Sequence, residues 1–231
     1  MPANSRIVHV SARQIYSDRE HPGVETTVVT ESGCKSVGFA TAGISTGGFE
    51  AEASSISSYE SLLVPGLLQT EEYVRATIQS GRTTADPEEV DRIVAARSAR
   101  KALLSRDVPP KLWIVLDEGA VRRVVGGPDV MRSQVARLIE ACENPAIVMQ
   151  VLPFSAGAHA AMGGPFTILD YDDKVLDPTV VYLGNDTSTL LLEKEAQVAR
   201  YRLMFDHLRA KALDPDRSGE FLTRVMADYP K

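Results

Sequence analysis

Lys111-Leu112-Trp113-Ile114-Val115-Leu116-Asp117 and Ala146-Ile147-Val148-Met149-Gln150-Val151-Leu152 are the two stretches on which the fold turns. Each is a short, nearly unbroken apolar run, which is how a strand covered on both faces reads; a strand with one wet face alternates. Between them, Glu118 to Val125 and Asp129 to Cys142 read as helices, the second with Met131, Val135, Leu138 and Cys142 on one stripe. Two buried strands joined by helices imply a crossover connection and parallel pairing.

Downstream, Pro165 to Tyr171 and Thr179 to Leu183 read as strands around the acidic turn Asp172-Asp173-Lys174, close enough to form an antiparallel hairpin. Glu193 to Ala212 is a long helix with Val198, Tyr201, Phe205, Leu208 and Ala212 on one face, and Pro215 with Ser218 introduces a last helix to Tyr229. Upstream, Asp86-Pro87 opens a helix that carries Val90, Ile93, Val94, Arg97 and Leu104 at helical spacing until Pro109-Pro110. The stretch Ser58 to Gly81 (SYESLLVPGLLQTEEYVRATIQSG) breaks at Pro65-Gly66 and resumes as a helix capped by Thr70. Helical patterns begin near Ala51. Residues 1–50 instead intersperse Gly, Ser and Thr among β-type runs such as Thr26-Thr27-Val28-Val29-Thr30. The expected class is therefore α+β. A small mixed sheet of about 112–117, 147–152, 165–171 and 179–184 is packed by helices starting near Pro87, Asp129 and Glu193. This forms a domain over 51–231 that follows an extended or β region over 1–50.

The 231 residues are 44% hydrophobic and 24% charged, an ordinary globular balance that argues against wholesale disorder. No apolar run reaches the roughly 18 residues of a membrane span. The first twenty residues also lack the apolar core of a signal peptide, so a soluble, cytoplasmic chain without membrane contact is expected. The net charge of -6 disfavours nucleic acid as a direct partner, because phosphate recognition collects positive charge. Cys34 and Cys142 form no CxxC pair, and the four histidines show neither i, i+4 pairing nor HExxH. With neither GxGxxG nor a Walker A loop, no metal and no cofactor is expected.

Several residues carry chemistry. Gly43-Ile44-Ser45-Thr46-Gly47 matches G-x-S-x-G, the turn that exposes a nucleophilic serine, and Ser45 with His159 as base is one catalytic reading; a plain Gly-rich turn is the other. Arg97 falls on the apolar stripe of its helix, where a charge must be paired, and Glu118 sits at the C-terminal end of the first apolar strand. Either an Arg97–Glu118 pair or an anionic ligand would satisfy the guanidinium. The loop from Pro153 to Phe166 is built of small residues framed by two phenylalanines, which lets a backbone approach a ligand closely. Arg97, Arg100, Glu118, Arg122, Phe154, His159 and Phe166 are therefore expected to converge on one ligand-binding site.

The strings Leu63-Val64-Pro65-Gly66-Leu67-Leu68-Gln69-Thr70, Leu116-Asp117-Glu118-Gly119-Ala120-Val121-Arg122-Arg123, Gly126-Gly127-Pro128, Val151-Leu152-Pro153-Phe154 with Gly157-Ala158-His159, and Gly164-Pro165-Phe166 occur in this order. Together they resemble the domain of unknown function that lies C-terminal to the helix-turn-helix in actinobacterial XRE regulators of the WhiJ kind, including antitoxin-like members. The resemblance covers about Ala51 to Tyr229 and implies a ligand- or partner-binding domain of regulators of development and secondary metabolism, with no catalytic residues to carry over. Two features depart from it. Residues 1–50 lack a recognisable helix-turn-helix, and Gly184 stands where the family usually has a glutamate. The resulting expectation is a regulatory-type binding module for a small, anionic ligand or a small partner protein, compatible with a homodimer. The alternative is a biosynthetic enzyme of secondary metabolism that reuses the same pocket for acid/base or covalent chemistry.

Overall fold

The β-branched runs of the first fifty residues pair with one another in the computed structural model. β1 (Ile7–Tyr16), β2 (Pro22–Thr30) and β3 (Lys35–Thr41) form an antiparallel meander with Val10 opposite Val28 and Thr27 opposite Val37. The structure describes residues 6–16, 22–32, 35–41, 46–81, 86–172, 179–184 and 189–230. The chain divides into Met1–Gly48 and Phe49–Lys231. Ser45, Cys34 and the end of the acidic turn from Asp173 lie outside the described residues.

The second unit is α+β. After α1 (Thr46–Glu52) come β4 (Ser55–Glu60), a single 3₁₀ turn at Gly66–Leu68, α2 (Glu71–Gly81) and α3 (Pro87–Arg100). They are followed by β5 (Lys111–Asp117), α4 (Glu118–Arg122), α5 (Pro128–Ala141) and β6 (Ile147–Leu152). Strands β7 (Phe166–Asp170), β8 (Val180–Gly184) and β9 (Thr189–Leu192) precede α6 (Glu195–Lys211) and α7 (Pro215–Asp228). The six strands lie in the order β6-β5-β4-β7-β8-β9. β6, β5 and β4 are parallel, while β4, β7, β8 and β9 pair antiparallel. The two apolar runs are thus parallel neighbours and the hairpin forms.

The four-stranded sheet expected from sequence needs two corrections. β9 extends the antiparallel edge, and Ser55-Ile56-Ser57-Ser58-Tyr59-Glu60, placed by sequence where helical patterns begin, is a strand at the sheet's centre. Its three serines hide the strand pattern, and it is held by pairing on both sides, to β5 and to β7, rather than by strong local preference.

Strand alternation sorts the side chains into two cores. On one face Ile56, Leu112, Ile114, Met149 and Leu169 pack with Met131, Val135 and Leu138 of α5 and with Leu222 and Val225 of α7. On the other, Tyr59, Val115, Leu152, Phe166 and Val181 pack with Val198, Phe205 and Leu208 of α6. Edge strand β6 is covered as well as buried: the Val151 amide donates to Ser218 Oγ at 2.9 Å, and its carbonyl accepts from the Leu213 amide at 2.9 Å. The helices begin where their caps dictate, with Asp86 accepting from the Glu88 amide, Thr70 Oγ1 from the Tyr73 amide and Asp214 from the Arg217 amide. Gly126, at φ +70°, turns the chain into α5, and a Cβ there would stand 2.8 Å from the Ala76 Cβ.

Candidate functional site

On β4 alternate positions face the same way, so Ile56, Ser58 and Glu60 line one face of the sheet beside Leu112 and Ile114 of β5 and Thr167 of β7. The turn Pro65–Leu67 and Glu50 of α1 close over them and leave a small cleft of about 30 Å³ that opens to solvent. The polar groups in this cleft are unevenly satisfied. Glu50 is held in an ion pair with Arg100 of α3. Ser58 is only 4% exposed, yet its hydroxyl has no hydrogen-bond partner among the described residues, and the Thr167 hydroxyl has none either. Burial, and secondarily the nearby Glu50 carboxylate, raise the Glu60 carboxyl to about 8. Glu60 is therefore mostly a neutral acid at pH 7.

The opposite face of the same strand carries a second polar arrangement. Tyr59, 2% exposed, lies 3.2 Å from Asp117 Oδ2 and 3.3 Å from His159 Nε2 through its Oη. The Ala161 amide donates to His159 Nδ1 at 3.3 Å, which assigns the ring hydrogen to Nε2. The chain of donors then runs from His159 Nε2–H to Tyr59 Oη and from Tyr59 Oη–H to Asp117. Burial first, then the charge and hydrogen bond of Asp117, push the Tyr59 phenol well above the usual tyrosine range, so it stays protonated. Asp117 Oδ1 is taken by the Gly119 amide at 2.8 Å, capping α4. His159 stands edge-on to the Tyr59 ring at 5.4 Å and Phe166 lies 6.2 Å from it. This is a strut that ties the loop after β6 to the ends of β4 and β5. We expect Tyr59→Phe, which keeps the ring and deletes both bonds, to cost about 1–2 kcal/mol in urea denaturation and to speed exchange of the Ala161 amide. Unchanged exchange would show that the loop is held by something else.

The residues expected to converge are engaged as follows. Glu118 accepts from Arg122 Nε at 2.6 Å and from the Phe154 amide at 2.8 Å, and Arg122 also reaches Asp228 at 3.1 Å. His159 and Phe166 meet around Tyr59. Arg100 serves Glu50 at the cleft. The Arg97–Glu118 pair is not formed: Glu118 takes Arg122 from its own helix at the i, i+4 spacing, and Arg97, part-buried on α3, is engaged elsewhere. Both ring nitrogens of His159 are occupied by Ala161 and Tyr59, and Ser45 lies outside the described residues. Among the described residues no group of three or more His, Cys, Asp or Glu side chains could hold a metal, and no helix is long and apolar enough to cross a membrane. Sequence reasoning missed Ser58, Tyr59, Glu60, Asp117 and Thr167. The alternation of Ile56, Ser58 and Glu60 was the available signal for three features of the cleft.

The chain belongs to the family described as Domain of unknown function (DUF5753), whose model matches residues 46–224 and so takes in both the cleft and the strut. No curated protein and no solved structure matches the chain.

Proposed function

We propose that the unit Phe49–Lys231 is a regulatory-type binding module that takes a small ligand in the cleft between β4, β5 and the Pro65–Leu67 turn. In this reading it is a cytoplasmic relative of the sensor domains of WhiJ-type actinobacterial regulators. The single observation that carries it is the Ser58 hydroxyl, which sits on a residue only 4% exposed, has no hydrogen-bond partner among the described residues and opens into the cleft. Polar groups placed at a concavity fix the orientation of a bound molecule, and this hydroxyl is left open to a partner from outside the chain. The arginines give less support to an anionic ligand, because Arg100 and Arg122 already face Glu50, Glu118 and Asp228. The enzymatic alternative rests on the Asp117–Tyr59–His159 chain. It is weaker as chemistry, since the phenol is held in its protonated form.

The test is a thermal-shift panel of amino acids, amines, nucleosides and organic acids against wild type and Thr167→Leu, which fills the cleft. A ligand at a hundred times its Kd stabilises by about 2.7 kcal/mol, worth roughly 5–10 °C in a chain of this size. We expect at least one such shift in wild type and its loss in a folded Thr167→Leu. A panel without any shift, or a shift that survives the substitution, would sink the reading; conversion of the bound compound, seen by mass spectrometry, would turn it into an enzyme.

A further inference from the structure

We infer that the cleft is a site for a primary or secondary ammonium group, held by the Glu60 carboxylate with the Ser58 and Thr167 hydroxyls as further acceptors. The inference rests on the cleft being the binding site proposed above and names the class of ligand. Ser58 and Thr167 are directly opposed across the β4–β7 pair, which brings their hydroxyls to adjacent positions on one face. Glu60 lies two residues further along that face. None of the three side chains has a hydrogen bond or ion pair among the described residues. A primary ammonium presents three N–H donors and no acceptor, and here it meets three acceptor groups.

The charges select among ligands. Glu50 from α1 is neutralised by Arg100 from α3, whereas Glu60 forms no ion pair among the described residues. Tyr73 of α2 also interacts with Glu60, and its phenol, within reach of the Arg123 guanidinium too, is raised chiefly by burial and adds no charge. An anion would face two carboxyl groups with only one guanidinium between them. A neutral ligand would leave Glu60 holding its proton. A cation alone gives the carboxylate a partner, and it displaces the proton that Glu60 carries when the cleft is empty. Binding should therefore release a proton and strengthen with pH.

The experiment is calorimetric titration of the whole chain with n-butylammonium chloride and with n-butanol, at pH 6, 7 and 8, in two buffers of different ionisation enthalpy. We expect n-butylammonium to bind at least tenfold more tightly than n-butanol, and to release close to one proton per ligand at pH 7. Its affinity should rise roughly tenfold from pH 6 to pH 7. Glu60→Gln, nearly isosteric and neutral, should lose both the preference and the pH dependence. Equal binding of the two probes would overturn the ammonium site while leaving the cleft a binding site. Failure of both to bind, or a pH-independent affinity that survives Glu60→Gln, would overturn it as well, and the metabolite panel would then decide separately whether the cleft binds anything.

Discussion

Wild type is expected to lose on the order of 3–5 kcal/mol of stability at Glu60 as pH rises from about 4.5 to 8, and Glu60→Gln to lose none of it. The sign follows from where the proton sits. Below about 4.5 the carboxyl is protonated in both the folded and the unfolded chain, and its contribution is fully present. From 4.5 upward the unfolded chain ionises, while the folded chain, with Glu60 raised to about 8, still holds its proton in the cleft. The folded state binds more protons throughout that window, so stability falls until pH passes 8 and both states are ionised. The difference between wild type and Glu60→Gln isolates this group from every other titration. Urea midpoints measured at pH 4.5, 6, 7 and 8 should show the two proteins nearly equal at the acid end and the variant clearly more stable at the basic end. Parallel curves across the whole range would mean that Glu60 is solvated in the folded chain and would remove the electrostatic basis of the cleft.

Gln134→Leu should cost a further large amount, about 2–5 kcal/mol, by a different route. Gln134 of α5 is 0% exposed and makes two bonds to the chain that leads into α2. Its Nε2 donates to the Leu68 carbonyl at 2.9 Å, and its Oε1 accepts from the Thr70 amide at 2.7 Å. Leucine has a similar volume, so the substitution opens no large cavity; it strands a backbone carbonyl and a backbone amide where water reaches them poorly. The segment it releases continues the Pro65–Leu67 turn that roofs the cleft, so any ligand-induced thermal shift should shrink along with the urea midpoint. A loss below about 1 kcal/mol would mean that water or a neighbouring group replaces the amide.

Neither Glu60 nor Gln134 drew notice in the sequence, and the reason is the same for both. A polar residue inside an apolar stripe is visible as an anomaly, as Arg97 was, but its partner is visible only when it lies nearby in the chain. The Glu118–Arg122 pair stands at the i, i+4 spacing that a helix brings together, so the sequence already contained it. The bonds of Gln134 to Leu68 and Thr70 span more than sixty residues, and those of Tyr59 to Asp117 and His159 span 58 and 100. No local spacing encodes such distances.

Local patterns along the chain suffice for the α+β class, the parallel pair β5 and β6, the β7–β8 hairpin and the helix starts at Pro87 and Pro215. Each of these rests on hydrophobic period, cap chemistry or proline, which act over a few residues and leave their mark in a short window. Packing across the whole unit makes Ser55–Glu60 a central strand and gives its two faces the two polar arrangements. Alternation states which residues of a strand share a face, but not which strands will be its neighbours or what those neighbours contribute. That choice is made by burying the apolar faces of the whole sheet between α5 and α7 on one side and α6 on the other. Once β4 is held between β5 and β7, Ser58 and Glu60 are committed to the cleft whatever their own preference for water.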